Sequence, residues 1–190
     1  LEAEPFDAMI VFARTKLATD ELAQKLQARG FSAAAINGDV QQAQRERTIQ
    51  QLKDGKLDIL IATDVAARGL DVDGISHVLN YDIPHDPESY VHRIGRTGRA
   101  GREGTAITLA QPREQFLLRG IEREVRQPIE RARVPTAADL RARRVELLRA
   151  AIVETLEEGD WERYRDEVIL PLTEQFDAVV VNHSVDQAVR

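Results

Sequence analysis

Hydrophobic and polar positions along the first 110 residues follow two alternating periods. Short apolar runs stand at residues 8–13 (AMIVFA), 31–36 (FSAAAI), 57–63 (LDILIAT), 77–82 (HVLNYD) and 105–110 (TAITLA). Runs of this length bounded by turn residues predict strands, and their near-continuous apolar character predicts burial on both faces. Between them the period lengthens. Residues 15–29 carry Leu17, Leu22 and Leu26 at helical spacing, with Gly30 as the stop. Residues 41–52 read as a second helix with Ile49 and Leu52 inward, closed by the turn Asp54-Gly55. Residues 86–96 read as a third, starting after Pro84. Strand and helix alternating at such short intervals predict right-handed βαβ units and an α/β fold, a parallel sheet sandwiched by helices. In such sheets ligands sit beyond the carboxyl ends of the strands. The unusual residues of this chain follow Ala13, Ile36, Ala62 and Asp82, at those ends.

From residue 113 the pattern is helical only. A helix is predicted over 113–126, a Pro-punctuated connection over 125–136, and a long amphipathic helix over 136–158. Leu140, Val145, Leu148, Ile152 and Leu156 fall near one face of that helix, and Thr136 is placed to cap it. Gly159 reads as its stop, and Asp160 as the cap of a further helix with Trp161, Tyr164, Val168 and Ile169, interrupted at Pro171. Residues 172–190 contain AVVV, readable as helix or strand, with helix the expectation. The expected organisation is therefore an α/β domain over 1–128 and a small all-α region over 129–190.

Composition narrows the function classes. The 190 residues are 43% apolar and 31% charged, which excludes a disordered chain. There is no cysteine, so neither a disulfide framework nor a Cys-based zinc site is available. The four histidines form no close pair, and no metal site is expected. No apolar run approaches the roughly 18 residues a membrane span needs. The start has no basic n-region and no initiator Met, and reads as an excised piece of a longer protein. The net charge is −6, but it is unevenly placed. Residues 91–149 hold 14 Arg, no Lys and 7 acids, between two acidic segments. Arginine's planar fork binds phosphate oxygens in pairs. For residues 113–149 a solvated helix surface laced with ion pairs is the competing reading.

Three segments carry the chemistry. In YVHRIGRTGRAG (90–101), Arg93 and Arg96 stand three apart on one predicted helix face, and Arg99 follows Gly98, where the backbone can turn sharply. Guanidinium groups converging at one end of a sheet call for an anion, and a triphosphate fits. In ATDVAARGLD (62–71), Thr63 offers a hydroxyl and a loop NH, Gly69 a close approach, and Asp71 an acceptor for a ribose hydroxyl. In VFARTK (11–16) and NGDVQQAQRER (37–47), helix N-termini reach the same edge, where free NH groups and the helix dipole favour phosphate. Arg14, Thr15, Gly38, Asp39, Gln42 and Arg45 would line a sugar-phosphate backbone there, in contacts that position a strand without reading its sequence. Gln42 and Arg45 are equally readable as plain helix surface.

Together VFARTK, NGDVQQAQRE, LIATDVAARGLD, NYDIP and YVHRIGRTGRAGREG resemble the successive motifs of the second RecA-like domain of DEAD-box RNA helicases, over roughly residues 8–126. The segment IEREVRQPIERARVPTAADLRARR and the later DWERYRD are similar to the region after the helicase core in the DeaD (CsdA-like, cold-shock) bacterial subfamily, where it is a helical dimerisation domain. The resemblance implies that Arg96 and Arg99 reach the γ-phosphate of ATP, with Arg99 the finger. His92 and Arg93 would couple the two lobes and brace the site, and Gly69 and Asp71 would lie near ribose and phosphates. It implies RNA-backbone contacts for Thr15, Asp39, Gln42, Arg45 and Thr63. Asn37 and Val40 vary around the Gly-Asp pair, at positions with no required side chain.

The chain has no GxxxxGK[ST] loop and no DEAD box. The phosphate cradle and the carboxylate for Mg²⁺ are thus expected on an absent N-terminal RecA-like domain. ATP and Mg²⁺ are cofactors expected of the full-length enzyme and not of this fragment, which would be inactive alone. The expected partners are RNA, the absent lobe and, through 129–190, a second copy of the chain; the expected location is cytoplasmic. Two other readings stay open. The tail could be an intramolecular cap rather than a dimer module, and the lobe could belong to a DNA-directed translocase of the same superfamily.

Overall fold

A computed structural model of the chain describes residues 6–70, 72, 74–99 and 101–157. Five strands are formed, β1 (Met9–Phe12), β2 (Ala33–Ile36), β3 (Ile59–Ala62), β4 (His77–Asn80) and β5 (Thr105–Thr108). The helices are α1 (Lys16–Gln27), α2 (Gln42–Lys53), α3 (Asp64–Ala67), α4 (Pro87–Ile94), α5 (Gln115–Val125) and α6 (Ala137–Glu157), with a 3₁₀ turn at Pro112–Glu114 before α5. The strand order is β2-β3-β1-β4-β5, and all pairings are parallel. The α/β sandwich expected from the alternating periods is thus present.

The register explains how the core divides. Met9 pairs with Ile59 and Ile10 with Leu60, so residues of one parity share a face across neighbouring strands. Met9, Val11, Ile59 and Ile61 pack against Ala23 and Leu26 of α1. Ile10, Phe12, Leu60, Ala62 and Val78 pack on the other face, against Leu52 of α2 and Ala66, Ala67, Leu70, Val72 and Ile75. β1 and β3 are fully buried, which is why their sequences show no polar alternation. A third cluster joins Ile83, Tyr90 of α4 and Ile121 of α5.

Two boundaries differ from the sequence reading. Helix α4 ends at Ile94 with Gly95 as its cap, so Arg96 lies beyond the helix. The segment after β3, expected to be a loop, forms the one-turn helix α3, because the Thr63 hydroxyl accepts the Ala66 amide at its start. Residues 4–132 form one compact unit and α6 belongs to a second. Thr136 does cap α6: its hydroxyl accepts the Asp139 amide at 3.2 Å, while Asp139 accepts the Thr136 amide at 2.7 Å. The helices predicted beyond Gly159 lie outside the described residues.

Candidate functional site

Strands β3 and β4 flank β1, and the chain crosses β1 between them, so the ends of β1 and β4 frame a switch point. The Arg14 amide, just past β1, donates to Asp82 Oδ2 at 2.8 Å and ties the two strand ends together. Arg93 of α4 fills the space beneath. It is 4% exposed, its Nε and Nη2 donate to the two oxygens of Asp64 at 2.6 and 2.8 Å, and its Nη1 donates to Asn80 Oδ1 and the Asp82 carbonyl. The guanidinium also lies 5.1 Å from the centre of the Phe12 ring. Asn80 is held in turn by a bond to Thr108 Oγ1. A buried guanidinium is tolerated only when so fully satisfied.

Above this floor opens a cleft of about 430 Å³ lined by Arg93, Arg96, His92, Gly69, Arg68 and Asp64, among others. Gly69 has φ +71°, a backbone that L side chains rarely adopt. Arg96 Nη1 donates to the Leu70 carbonyl at 2.8 Å, which fastens the stretch after α3 to the end of α4. Partial burial holds the Arg96 pKa below its ordinary value, and the neighbouring Arg99 charge lowers it further. Arg99 Nε donates to the Gly95 carbonyl at 2.9 Å, after a turn in which Gly98 takes φ +67°. Thr97 Oγ1 lies within bonding distance of the carbonyls of Ile75 and Ser76, just before β4. The second half of the segment therefore runs back toward the amino ends of the strands. Arg93 and Arg96 thus meet at one cleft with Arg68, while Arg99 follows on the turn after α4 and is not among the residues lining it.

The other expected residues fall into three groups. Thr15 and Thr63 cap α1 and α3 through their hydroxyls. Arg14 is exposed, with Nη2 3.3 Å from the Ile83 carbonyl and 4.0 Å from Glu114. Gly38, Asp39 and Gln42 are exposed at the turn after β2 and the start of α2, where Gln42 bonds Glu46 at 2.7 Å. Arg45 turns inward and donates to the carbonyls of Ala66 and Arg68 at 2.6 and 3.1 Å, satisfying the end of α3. Asp71 lies outside the described residues.

Sequence reasoning missed three contributors. Lys16 ion-pairs with Asp39, and a Cβ on Gly38 would lie 3.3 Å from Lys16 Cε, so the lysine folds over the turn. Asn37 was expected to need no particular side chain. It is 4% exposed, and its amide donates to Thr19 and Asp20 while its oxygen accepts the Asp39 amide. Gly104 lies against Thr97 and the Gly98 amide so closely that any Cβ would collide with both. Of the described carboxylates lining the cleft, Asp64 is engaged by Arg93 and Asp86 by Ser89, while Glu88 is exposed.

Residues 1–101 match the family model for the helicase conserved C-terminal domain. The chain is similar to the ATP-dependent RNA helicase DeaD of Mycobacterium tuberculosis, 66% identical over 145 residues, 76% of this chain and 26% of that protein. It is also similar to DeaD of Escherichia coli K12, 58% identical over 165 residues, 87% of this chain and 26% of that protein. It thus spans about a quarter of the length of these curated relatives. Among solved structures it is similar to the E. coli DEAD-box protein SrmB bound to the regulator of ribonuclease activity A, with TM-score 0.64 and 38% identity, over 70% of this chain and 84% of that one. A Saccharomyces cerevisiae Dbp5 variant bound to RNA and ADP BeF3 matches with TM-score 0.63 and 36% identity, over 73% of this chain and 37% of that one.

Proposed function

The chain belongs to the helicase conserved C-terminal domain family, in its DEAD-box branch, and on that premise we propose that it is the second lobe of an ATP-dependent RNA helicase of the DeaD kind. The observation that carries this reading is the Arg96 wall of the cleft. Arg96 lines the cleft, partly desolvated and repelled by the neighbouring Arg99 on the turn braced by Thr97. A polyphosphate brought against that wall relieves the repulsion and meets donors already in place. The negative charge of phosphoryl transfer grows on the γ-phosphate, and arginines aimed at it contribute on the order of 10³–10⁵ in rate.

The described residues of this lobe do not fit a magnesium ion: they hold no group of three or more His, Asp or Glu able to ligate one, and Asp64 and Asp86 are engaged. The metal and the phosphate cradle belong to the other lobe. The RNA strand would run along the exposed sheet edge past Arg14, Thr15, Gly38, Asp39, Gln42 and Thr63, held through its backbone. Arg45 serves that edge by holding α3 in place. Lobe closure on ATP and RNA together would bend the strand so that a duplex cannot follow, separating it locally. The Dbp5 relative bound to RNA and ADP BeF3 supports both ligands for this fold. Under this reading the enzyme works in the cytoplasm.

The test is Arg99→Ala in the whole helicase. Turnover should fall at least about 10³-fold, with RNA affinity unchanged; equal losses in both would remove the finger role. In the same assay the 190-residue chain alone should give no RNA-stimulated turnover.

The region 129–190 is proposed to dimerise the enzyme. Val145, Leu148 and Ile152 of α6 are 49%, 62% and 50% exposed, an apolar load that a helix sheds by pairing. Light scattering should give twice the 21.3 kDa chain mass, and the monomer mass once 129–190 is removed. A monomer at every concentration would make the tail an intramolecular cap.

A further inference from the structure

Helix α5 buries one side and charges the other. Ile121 is 1% exposed, and Leu117, Leu118 and Val125 pack with it against Ile83 and Tyr90. On the opposite side Arg113, Phe116, Arg119, Arg123 and Arg126 recur at steps of three and four, and all are exposed. The arginines at 113, 119, 123 and 126 make no ion pair with a described residue. The ion-paired surface that the sequence allowed over 113–149 is found at Arg133–Asp139 and Arg143–Glu146, but not at these four arginines. Glu122 is engaged by the Ile129 amide and Glu114 by the Gln111 amide, leaving Glu124 as the exposed carboxylate of α5. Phe116 is 66% exposed on the same stripe. Arg126, at the end of the helix, is the one described non-glycine residue with positive φ, at 55°. A position where glycine is favoured holds a guanidinium instead.

Cations in a last helical turn are favoured by the helix dipole, which accounts for Arg123 and Arg126. The dipole does not account for Arg113 or Arg119 nearer the start, or for an exposed phenylalanine between them. Arginines interleaved with an aromatic face suit a nucleic-acid strand, with guanidiniums on phosphates and the ring under a base. The stripe also has a direction. Its first turn adjoins the sheet edge, because Glu114 lies 4.0 Å from Arg14, and eleven residues carry it about 16 Å onward.

We propose that the outer face of α5 is a second RNA-backbone site, which receives the single strand after it leaves the sheet edge beside Arg14. The inference rests on the RNA edge proposed above and extends it to a surface outside the cleft. Such a site lengthens the strand the lobe holds without adding sequence preference.

The test is fluorescence anisotropy of the 190-residue chain with labelled oligouridylates of about 6 and about 16 nucleotides, titrated from about 50 to 200 mM salt. Replacing Arg119, Arg123 and Arg126 together by Gln should weaken the long RNA by roughly tenfold or more and make its log–log salt slope shallower by about 2, three phosphates at about 0.7 each. The short RNA should be unaffected. The same three positions as Lys should keep the slope, which guards against misfolding of the Gln variant. Phe116→Ala should weaken the long RNA by about fivefold to a hundredfold. Unchanged binding of the long RNA in the Gln variant would overturn the proposal, as would equal loss on both lengths. Arg14→Gln separates the two readings, since it should weaken both RNAs. If it changes neither while the α5 variant still weakens the long one, the edge reading falls and the α5 site stands.

Discussion

The floor and the wall of the cleft hold the same residue type in opposite conditions. At the floor Arg93 is buried, bidentate to Asp64, bonded to Asn80 and the Asp82 carbonyl, and stacked over Phe12. On the wall Arg96 is only partly covered, with a bond to the Leu70 carbonyl and a like charge beside it. The first arginine is saturated by the protein and organises it. The second is held in position and ion-pairs with no described carboxylate. One builds the cleft, and under the proposed function the other meets what enters it. Three arginines at a spacing of three look equivalent in a sequence, and their surroundings assign them different work.

The largest effects should separate these roles. Loss of the proposed finger beside the wall, by Arg99→Ala, should act on turnover alone. Loss of the floor should act on folding. Asp64→Ala strands Arg93 with part of its partners gone, and breaking a buried pair in this way costs about 3–5 kcal/mol. The Asp64 side chain is 44% exposed, so water recovers some of that and about 2–4 kcal/mol is expected. Urea unfolding of the 190-residue chain should show it as a lowered midpoint at constant slope. A midpoint shift no larger than that of Arg96→Gln would mean that floor and wall do not differ.

The comparison also marks where sequence reading stops. The strands were legible because β1 and β3 are buried on both faces and carry unbroken apolar runs. The residues of the sheet edge were legible as a set, since each follows a strand end. The occupancy of each side chain was not. Arg45 reads like Gln42 in QQAQRER, yet one satisfies the end of α3 and the other lies on the surface. Lys16 and Asn37 carry no spacing signal, because their partners, Asp39 and Thr19, are met only once β1 and β2 lie in one sheet. Gly104 gave no signal either, since its role is to leave room for Thr97 from the turn before. Helix α3 is too short for any period to announce. The capping residue Thr63 was the available clue, and it was read only as a ligand contact.

The smallest effect tests α4, which carries Arg93 and leads into Arg96. Asp86 caps α4, its Oδ1 accepting the Ser89 amide and its Oδ2 the Ser89 hydroxyl, both at 2.7 Å. Those bonds, the backbone one first, hold its carboxyl below the ordinary value of 3.8. The group is depressed in the folded state, so its stabilisation is complete above the unfolded value and is lost as pH falls through the folded one. Asp86→Ala should lower stability at neutral pH by about 0.5–2 kcal/mol, the usual worth of such a cap, and toward the low end because the residue is exposed. Below the folded value the deficit should shrink, since the wild type has then lost the same interaction. Thermal melts of both proteins at neutral pH and near pH 3 measure this directly. A deficit that stays constant with pH would mean that the carboxylate charge does not hold the start of α4.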